Sequence, residues 1–226
     1  MDNRKEFGQG IFFVISNYIY WLMLINIYFV FCNIIFLFFF MTLEPVFSNL
    51  IIIFIALIPT GPAIMALCYV MDKLVCEKEV SPTRDFFYGY KLNFKDTLKV
   101  WIPMLALIFI LIIDLQYFYE DSTATNQVLS IVFLVVLTLL ICLSFYVFPI
   151  TAKFKFRTRD IFKLSIYYSF KKLKISLGNI GIMIIGLFLM FMTSNFLILF
   201  IVGVLSYVLT LNSKEVIEDI KLNYTK

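Results

Sequence analysis

Residues 127–150 read QVLSIVFLVVLTLLICLSFYVFPI, twenty-four residues without one charged side chain. As a helix rising 1.5 Å per residue, this run reaches ~36 Å, more than the ~30 Å hydrocarbon core of a bilayer. It lacks the period-2 alternation of a barrel strand. A lone open strand would leave its backbone N–H and C=O groups unpaired in lipid. The run therefore predicts a transmembrane helix and decides the fold class: an all-α, polytopic transmembrane bundle. Composition agrees. The chain has 226 residues, 62% hydrophobic and 15% charged, against roughly 45–50% and 25% for a soluble domain.

Working outward, the 19 Lys and Arg residues fall into four blocks. These are Arg4 and Lys5; Lys73 to Lys99; Lys153 to Lys174; and Lys214, Lys221 and Lys226. Intervals 6–72, 100–152 and 175–213 contain no basic residue. Each is long enough for two crossings. The positive-inside rule places all four blocks in the cytoplasm. The expectation is about six spans, near 18–42, 47–71, 100–119, 127–150, 177–193 and 196–212, with both termini inside. The outer turns fall at Glu44-Pro45, Glu120-Asp121-Ser122 and Thr193-Ser194-Asn195. A five-span alternative puts Lys214, Lys221 and Lys226 outside. The chain reads as one integral membrane domain, 1–226, with cytoplasmic segments 72–99, 151–176 and 213–226. The apolar run from Phe7 to Leu43 is too long for one upright crossing, so residues 7–17 are predicted to form an interfacial helix. No small-residue cleavage site follows the polar stretch Met1–Gly10, which predicts that no signal peptide is removed.

Two cytoplasmic segments resemble each other. Thr83-Arg84-Asp85-Phe86-Phe87 matches Thr158-Arg159-Asp160-Ile161-Phe162, and Asn93-Phe94-Lys95 parallels Ser169-Phe170-Lys171. Both read as amphipathic helices. Phe87, Tyr90, Phe94, Leu98 and Trp101 form one stripe, flanked by Lys91, Lys95 and Lys99. Phe162, Ile166, Phe170, Leu173 and Leu177 form the other. Such helices suit the membrane interface, lysines reaching the headgroups, or a docking partner. The pairing is either duplication of a span–helix–span unit or convergent juxtamembrane composition. The basic run 153–174 abuts spans on both sides, which favours anionic lipid or a protein over nucleic acid.

Polar residues at membrane depth are the default functional candidates. Asp114 is the one ionisable candidate. Asn26 and Asn33 lie seven apart on one face and suit interhelical hydrogen bonds. Pro59-Thr60-Gly61-Pro62 must kink or break the second span, as a packing device or as the start of a solute site. There is no histidine, which removes His-based catalysis and most zinc sites. Cys32, Cys68, Cys76 and Cys142 form no CxxC pair and read as small buried hydrophobes. No phosphate loop, metal cluster or carboxylate pair is visible. The chain is therefore expected to be no enzyme and to need no cofactor.

Beyond these patterns, several runs resemble the YesL family of small bacterial membrane proteins. They are Asn26-Ile27-Tyr28-Phe29, Ile58-Pro59-Thr60-Gly61-Pro62-Ala63, the stretch from Ala66 to Val75, Val80-Ser81-Pro82-Thr83-Arg84-Asp85-Phe86-Phe87 and Lys91-Leu92-Asn93-Phe94-Lys95. Tyr146-Val147-Phe148-Pro149 fits a later family stretch, and the likeness is best over residues 58–103. The resemblance implies a bacterial plasma-membrane protein of unknown function, often encoded beside carbohydrate-uptake ABC transporters. It implies no catalytic residues. The function expected is an accessory or scaffold component of oligosaccharide ABC-type uptake, with a sugar ABC permease or another membrane subunit as partner. Homo-oligomerisation is left open. The alternative is a permease-like transporter, since Gly89 and Pro103 loosely echo the coupling-helix layout of ABC importer permeases. Against that echo, Asp85-Phe86-Phe87 replaces the acid-Ala-Ala triplet.

Overall fold

The protein is described by a computed structural model covering residues 11–44, 46–120, 123–192 and 195–224. Ten helices and no strands occur among the described residues. Long apolar runs become helices because only intrasegment hydrogen bonds satisfy the backbone in lipid. The helices are α1 (Ile11–Cys32), α2 (Ile34–Thr42), α3 (Phe47–Ala56), α4 (Thr60–Glu77) and α5 (Pro82–Leu92). There follow α6 (Phe94–Glu120), α7 (Ala124–Lys153), α8 (Thr158–Lys171), α9 (Leu173–Met192) and α10 (Asn195–Tyr224).

Four helices are long and apolar enough to cross a membrane: α1, α6, α7 and α9. A fifth crossing results if α3 and α4, bent by 44° at their break, count as one span. The six spans expected from the charge pattern are not reached on this measure. The sixth predicted segment is the first half of α10, which runs on without a break through Lys214, Glu215, Glu218, Asp219 and Lys221. No break in the helix marks position 213, and the basic tail continues α10. Pro45, residues 121–122 and residues 193–194 of the expected outer turns lie outside the described residues, as does Met1–Gly10.

Two further expectations change. Residues 11–17 are no separate interfacial helix but the first turns of α1, because nothing between Ile11 and Cys32 breaks the helix. The segment 18–42 is instead interrupted at Asn33. Its side-chain Nδ2 donates to the Phe29 carbonyl (2.8 Å), and its backbone N–H turns to Val30 (3.0 Å). An asparagine amide competing for backbone partners interrupts the helical ladder without proline or glycine. That leaves α2 with nine residues, ~13 Å long, which is too short to cross alone.

α4 is the centre of the bundle. Small and apolar from Gly61 to Met71, it buries nine residues. One apolar cluster packs Ala66, Val70 and Met71 of α4 against Ile25 of α1 and Phe86 of α5. The other packs Met65 of α4 against Trp101, Tyr146, Tyr168 and Ile220, from α6, α7, α8 and α10. The outward faces of the long helices are apolar and exposed, as at Ile110, Ile131 and Ile184. Faces of that kind suit a lipid solvent.

The predicted repeat appears as architecture. A long helix, an amphipathic helix, a one-residue break and another long helix occur as α4–α5–Asn93–α6. They recur as α7–α8–Lys172–α9. The starts of the amphipathic helices correspond, but α8 is three residues longer than α5 (14 against 11). Asn93 is therefore matched in place by Lys172. Ser169-Phe170-Lys171 lies inside and at the end of α8, so its likeness to Asn93-Phe94-Lys95 does not extend to position.

Candidate functional site

The broken spans meet each other. Thr60 Oγ donates to Asn33 Oδ1 at 2.5 Å, so the break after α1 and the break before α4 touch. The carbonyls freed around Pro59 find partners. The Ile55 carbonyl accepts the Ile58 N–H at 3.1 Å. The Leu57 carbonyl accepts the Thr60 N–H at 3.1 Å and the Trp101 indole N–H at 3.0 Å. Gly61 makes the indole's approach feasible: a Cβ there would collide with the Trp101 ring. Pro62 is buried beside it.

The other membrane candidates separate. Asn33 joins Thr60, whereas Asn26 is fully buried with neither amide atom paired among the described residues. An unpaired buried amide costs about 1–3 kcal/mol. Asn26→Leu is accordingly expected to stabilise the protein by about 1 kcal/mol. Denaturant titration in detergent checks this, and a loss of stability would reveal a partner for Asn26. Asp114 is half-buried near the end of α6, with no ion-pair partner among the described residues.

At its other end, α4 is tied by two ion pairs from adjacent residues. Asp72 pairs with Lys153 of α7 at 2.8 Å. Lys73 donates to both carboxylate oxygens of Asp85 on α5, at 2.8 and 2.9 Å. Asp85 is buried, and it also accepts the Ser81 N–H at 2.8 Å, which closes the start of α5. Its carboxylate raises the Lys73 pKa above the ordinary lysine value, chiefly through that hydrogen bond. The repeat counterpart Asp160 is exposed.

The second unit is held by α10. The Tyr168 hydroxyl donates to Asp219 at 2.6 Å, Lys171 reaches the same carboxylate at 3.4 Å, and Lys172 pairs with Glu215 at 2.6 Å. Hydrogen bonding from Tyr168, then from Lys171, lowers the Asp219 pKa. Burial, then the Asp219 hydrogen bond, pushes the Tyr168 phenol up. A depressed carboxylate stabilises the fold above its unfolded pKa and loses that contribution as pH falls through the folded one. Acidification below about pH 4 is expected to loosen α8 from α10, seen as faster amide exchange in α8. Asp219→Asn is expected to remove this acid-dependent step, and an unchanged acid response in the variant would refute the assignment.

The predicted stripes face outward only in part: Trp101, at the end of the first, is buried in the core and Leu98 is half-buried. Phe87, Phe94, Ile166 and Phe170 are exposed, beside exposed Lys91 and Lys95; Tyr90 and Phe162 are half-buried. The bundle takes the opposite faces, Asp85, Phe86 and Gly89 on α5 and Ile161, Leu164, Ser165 and Tyr168 on α8. Gly89 lies against Tyr69, where a Cβ would come within 2.8 Å of the ring.

The sequence reading missed a partly open cavity of about 340 Å³ lined by α4, α7, α9 and α10, and by Phe29 of α1. Its walls are largely apolar (Leu67, Phe148, Met183, Leu205). Asn179 of α9 is fully buried at its side. The Asn179 amide donates to Ser213 Oγ (3.1 Å), and its Oδ1 accepts Asn212 Nδ2 (2.9 Å). The signal was available: Asn179 lies inside one of the last two apolar runs and Asn212 closes the other. No group of three or more metal-ligating side chains occurs among the described residues.

Residues 22–115 match the model of a family described as "Protein of unknown function, DUF624". The first repeat unit through most of α6 lies inside that match, and the second lies beyond it. No curated protein and no solved structure matches the chain.

Proposed function

From a chain that carries the DUF624 region, that of the YesL family of small membrane proteins, over residues 22–115, we propose an accessory or scaffold role in carbohydrate ABC-type uptake. It is a non-enzymatic protein of the bacterial plasma membrane, and its partner is a sugar ABC permease or a neighbouring membrane subunit. The observation that carries this reading is the pair of amphipathic helices α5 and α8. Each gives one face to the bundle and leaves a second aromatic face exposed, beside Lys91 on α5 and Lys95 at the start of α6. In its topology, α3 with α4 and the first half of α10 complete six crossings, both termini are cytoplasmic, and the two stripes lie on the cytoplasmic side.

The test is capture of the tagged protein from its native membrane in mild detergent, with mass spectrometry. Sugar ABC permeases are expected in stoichiometric amounts, and lost from a Phe94→Glu/Phe170→Glu variant of normal expression. Recovery of the wild type as a homo-oligomer alone would overturn the reading. Single cysteines at Lys78 and Ser122, in a cysteine-free background, test the topology; labelling of both from one side refutes it.

The permease-like alternative draws on the cavity between α4, α7, α9 and α10. Sugar uptake in cells lacking ABC permeases would favour it. A bulky residue at Gly89 is a poor probe of a coupling helix, because it would also displace Tyr69.

A further inference from the structure

We infer that the cavity between α4, α7, α9 and α10 binds one acyl chain of a bilayer lipid, with the lipid's ester and headgroup end at Asn179 and Ser213. Its volume, about 340 Å³, falls within the ~300–1,000 Å³ of ordinary ligand pockets. Its length is set by the helices that wall it. Asn179 and Met190 on α9 both line it, as do Val202 and Ser213 on α10. Each pair is eleven residues apart, ~16 Å along a helix. One leaflet of the hydrocarbon core is roughly 15 Å deep. The cavity therefore has the reach of a single leaflet's chain.

Polarity runs along that length. The far end, at Met190 and Val202, is apolar, and Ser144 and Ser206 line the middle. The near end gathers Asn179, Thr210 and Ser213. The Asn179 amide keeps one N–H and one lone pair beyond its bonds to Ser213 and Asn212. The remaining Asn179 N–H and the Ser213 hydroxyl can donate to the ester oxygens of a lipid, whereas the Thr210 hydroxyl already donates to the Ser206 carbonyl. No charged side chain lines the cavity, so a headgroup charge must stay outside it. An adjoining space of about 20 Å³ shares Cys68, Pro149, Thr210 and Ser213 with the cavity and adds Asp72 and Lys214. That end thus lies next to charged side chains, Asp72 paired with Lys153 and Lys214 near Glu218. The helices around the cavity have apolar outward faces, so bilayer lipid is the medium next to it.

The test begins with the full-length protein in detergent, extensively washed, and native mass spectrometry of what remains bound. One lipid per protomer is expected to survive. Met183→Trp, which fills the cavity, is expected to reduce retained lipid about tenfold. Ile184→Trp, on the exposed side of the same helix, is expected to leave it unchanged. A wild type without lipid, a Met183→Trp variant that keeps it, or equal loss in both variants would overturn the assignment. A second measurement needs no variant. Wild type in phosphatidylethanolamine–phosphatidylglycerol vesicles is irradiated with phosphatidylglycerol carrying a diazirine on its acyl chain. Adducts are expected on Met183, Leu205 and Leu209. Adducts confined to outward residues such as Ile184 and Leu187 mean ordinary surrounding lipid and would refute the site.

Discussion

Trp101→Ala is expected to destabilise the protein by about 3–5 kcal/mol, the range for a buried tryptophan removed from a packed core. Three contacts are lost together. The indole fills the space left by the missing side chain of Gly61, lies 5.6 Å from the Phe148 ring, and donates to the Leu57 carbonyl at 3.0 Å. That carbonyl stands where the span breaks, and it keeps only the Thr60 N–H when the indole is gone. Trp101→Phe separates the terms. The ring largely remains and one hydrogen bond is lost, so about 1–2 kcal/mol is expected. Gly61→Ala attacks the same contact from the other side and is expected to cost about 1–3 kcal/mol by overpacking. Helicity against denaturant in detergent reads all three. If Trp101→Ala costs no more than Trp101→Phe, ring packing is not what holds the break.

The second large effect lies at the other end of α4. Lys73→Met is expected to cost about 2–3 kcal/mol. Breaking a fully buried pair costs about 3–5 kcal/mol. This pair falls lower because the Lys73 side chain is 28% exposed against 9% for Asp85, and solvent screens what it reaches. The loss comes from a buried carboxylate left with the Ser81 N–H alone. Adding Asp85→Asn, which removes the stranded charge and keeps an acceptor for Ser81, is expected to restore part of it. Asp160→Ala, at the matching position of the second unit, is expected to stay within about 0.5 kcal/mol, as an exposed substitution does. The sign with pH is also fixed. Lys73 has a raised pKa, so its contribution is complete below the unfolded lysine value and is lost as pH rises through the folded one. Equal effects at Asp85 and Asp160 would sink the distinction between the two units.

Much of the architecture was legible because lipid imposes simple rules on sequence. Charge-free runs became long helices, the Pro59–Pro62 segment became a break, and the Thr-Arg-Asp repeat marked two equivalent amphipathic helices. What was not legible depends on partners far away in the chain. Asn33 breaks the first run through a local bond to Phe29 and a contact with Thr60, 27 residues on; nothing in its neighbours announces this. Lys153 meets Asp72 across 81 residues. The three extra residues of α8 were missed because the likeness of Ser169-Phe170-Lys171 to Asn93-Phe94-Lys95 implies an insertion of one residue only. Asn179 was readable as a polar residue in an apolar run, as Asn26 was, but the cavity beside it is made by four helices and belongs to none.

The meeting of Asn33 and Thr60 gives the first two crossings a shared axle. The segments α2 and α3, which pack on each other, hang between the two breaks, and one side-chain bond joins those breaks at a single level. The bond closes the base of that hairpin, so the two breaks are held at one level by side chains and not by the backbone. The Trp101 indole on the Leu57 carbonyl fastens the same level to α6.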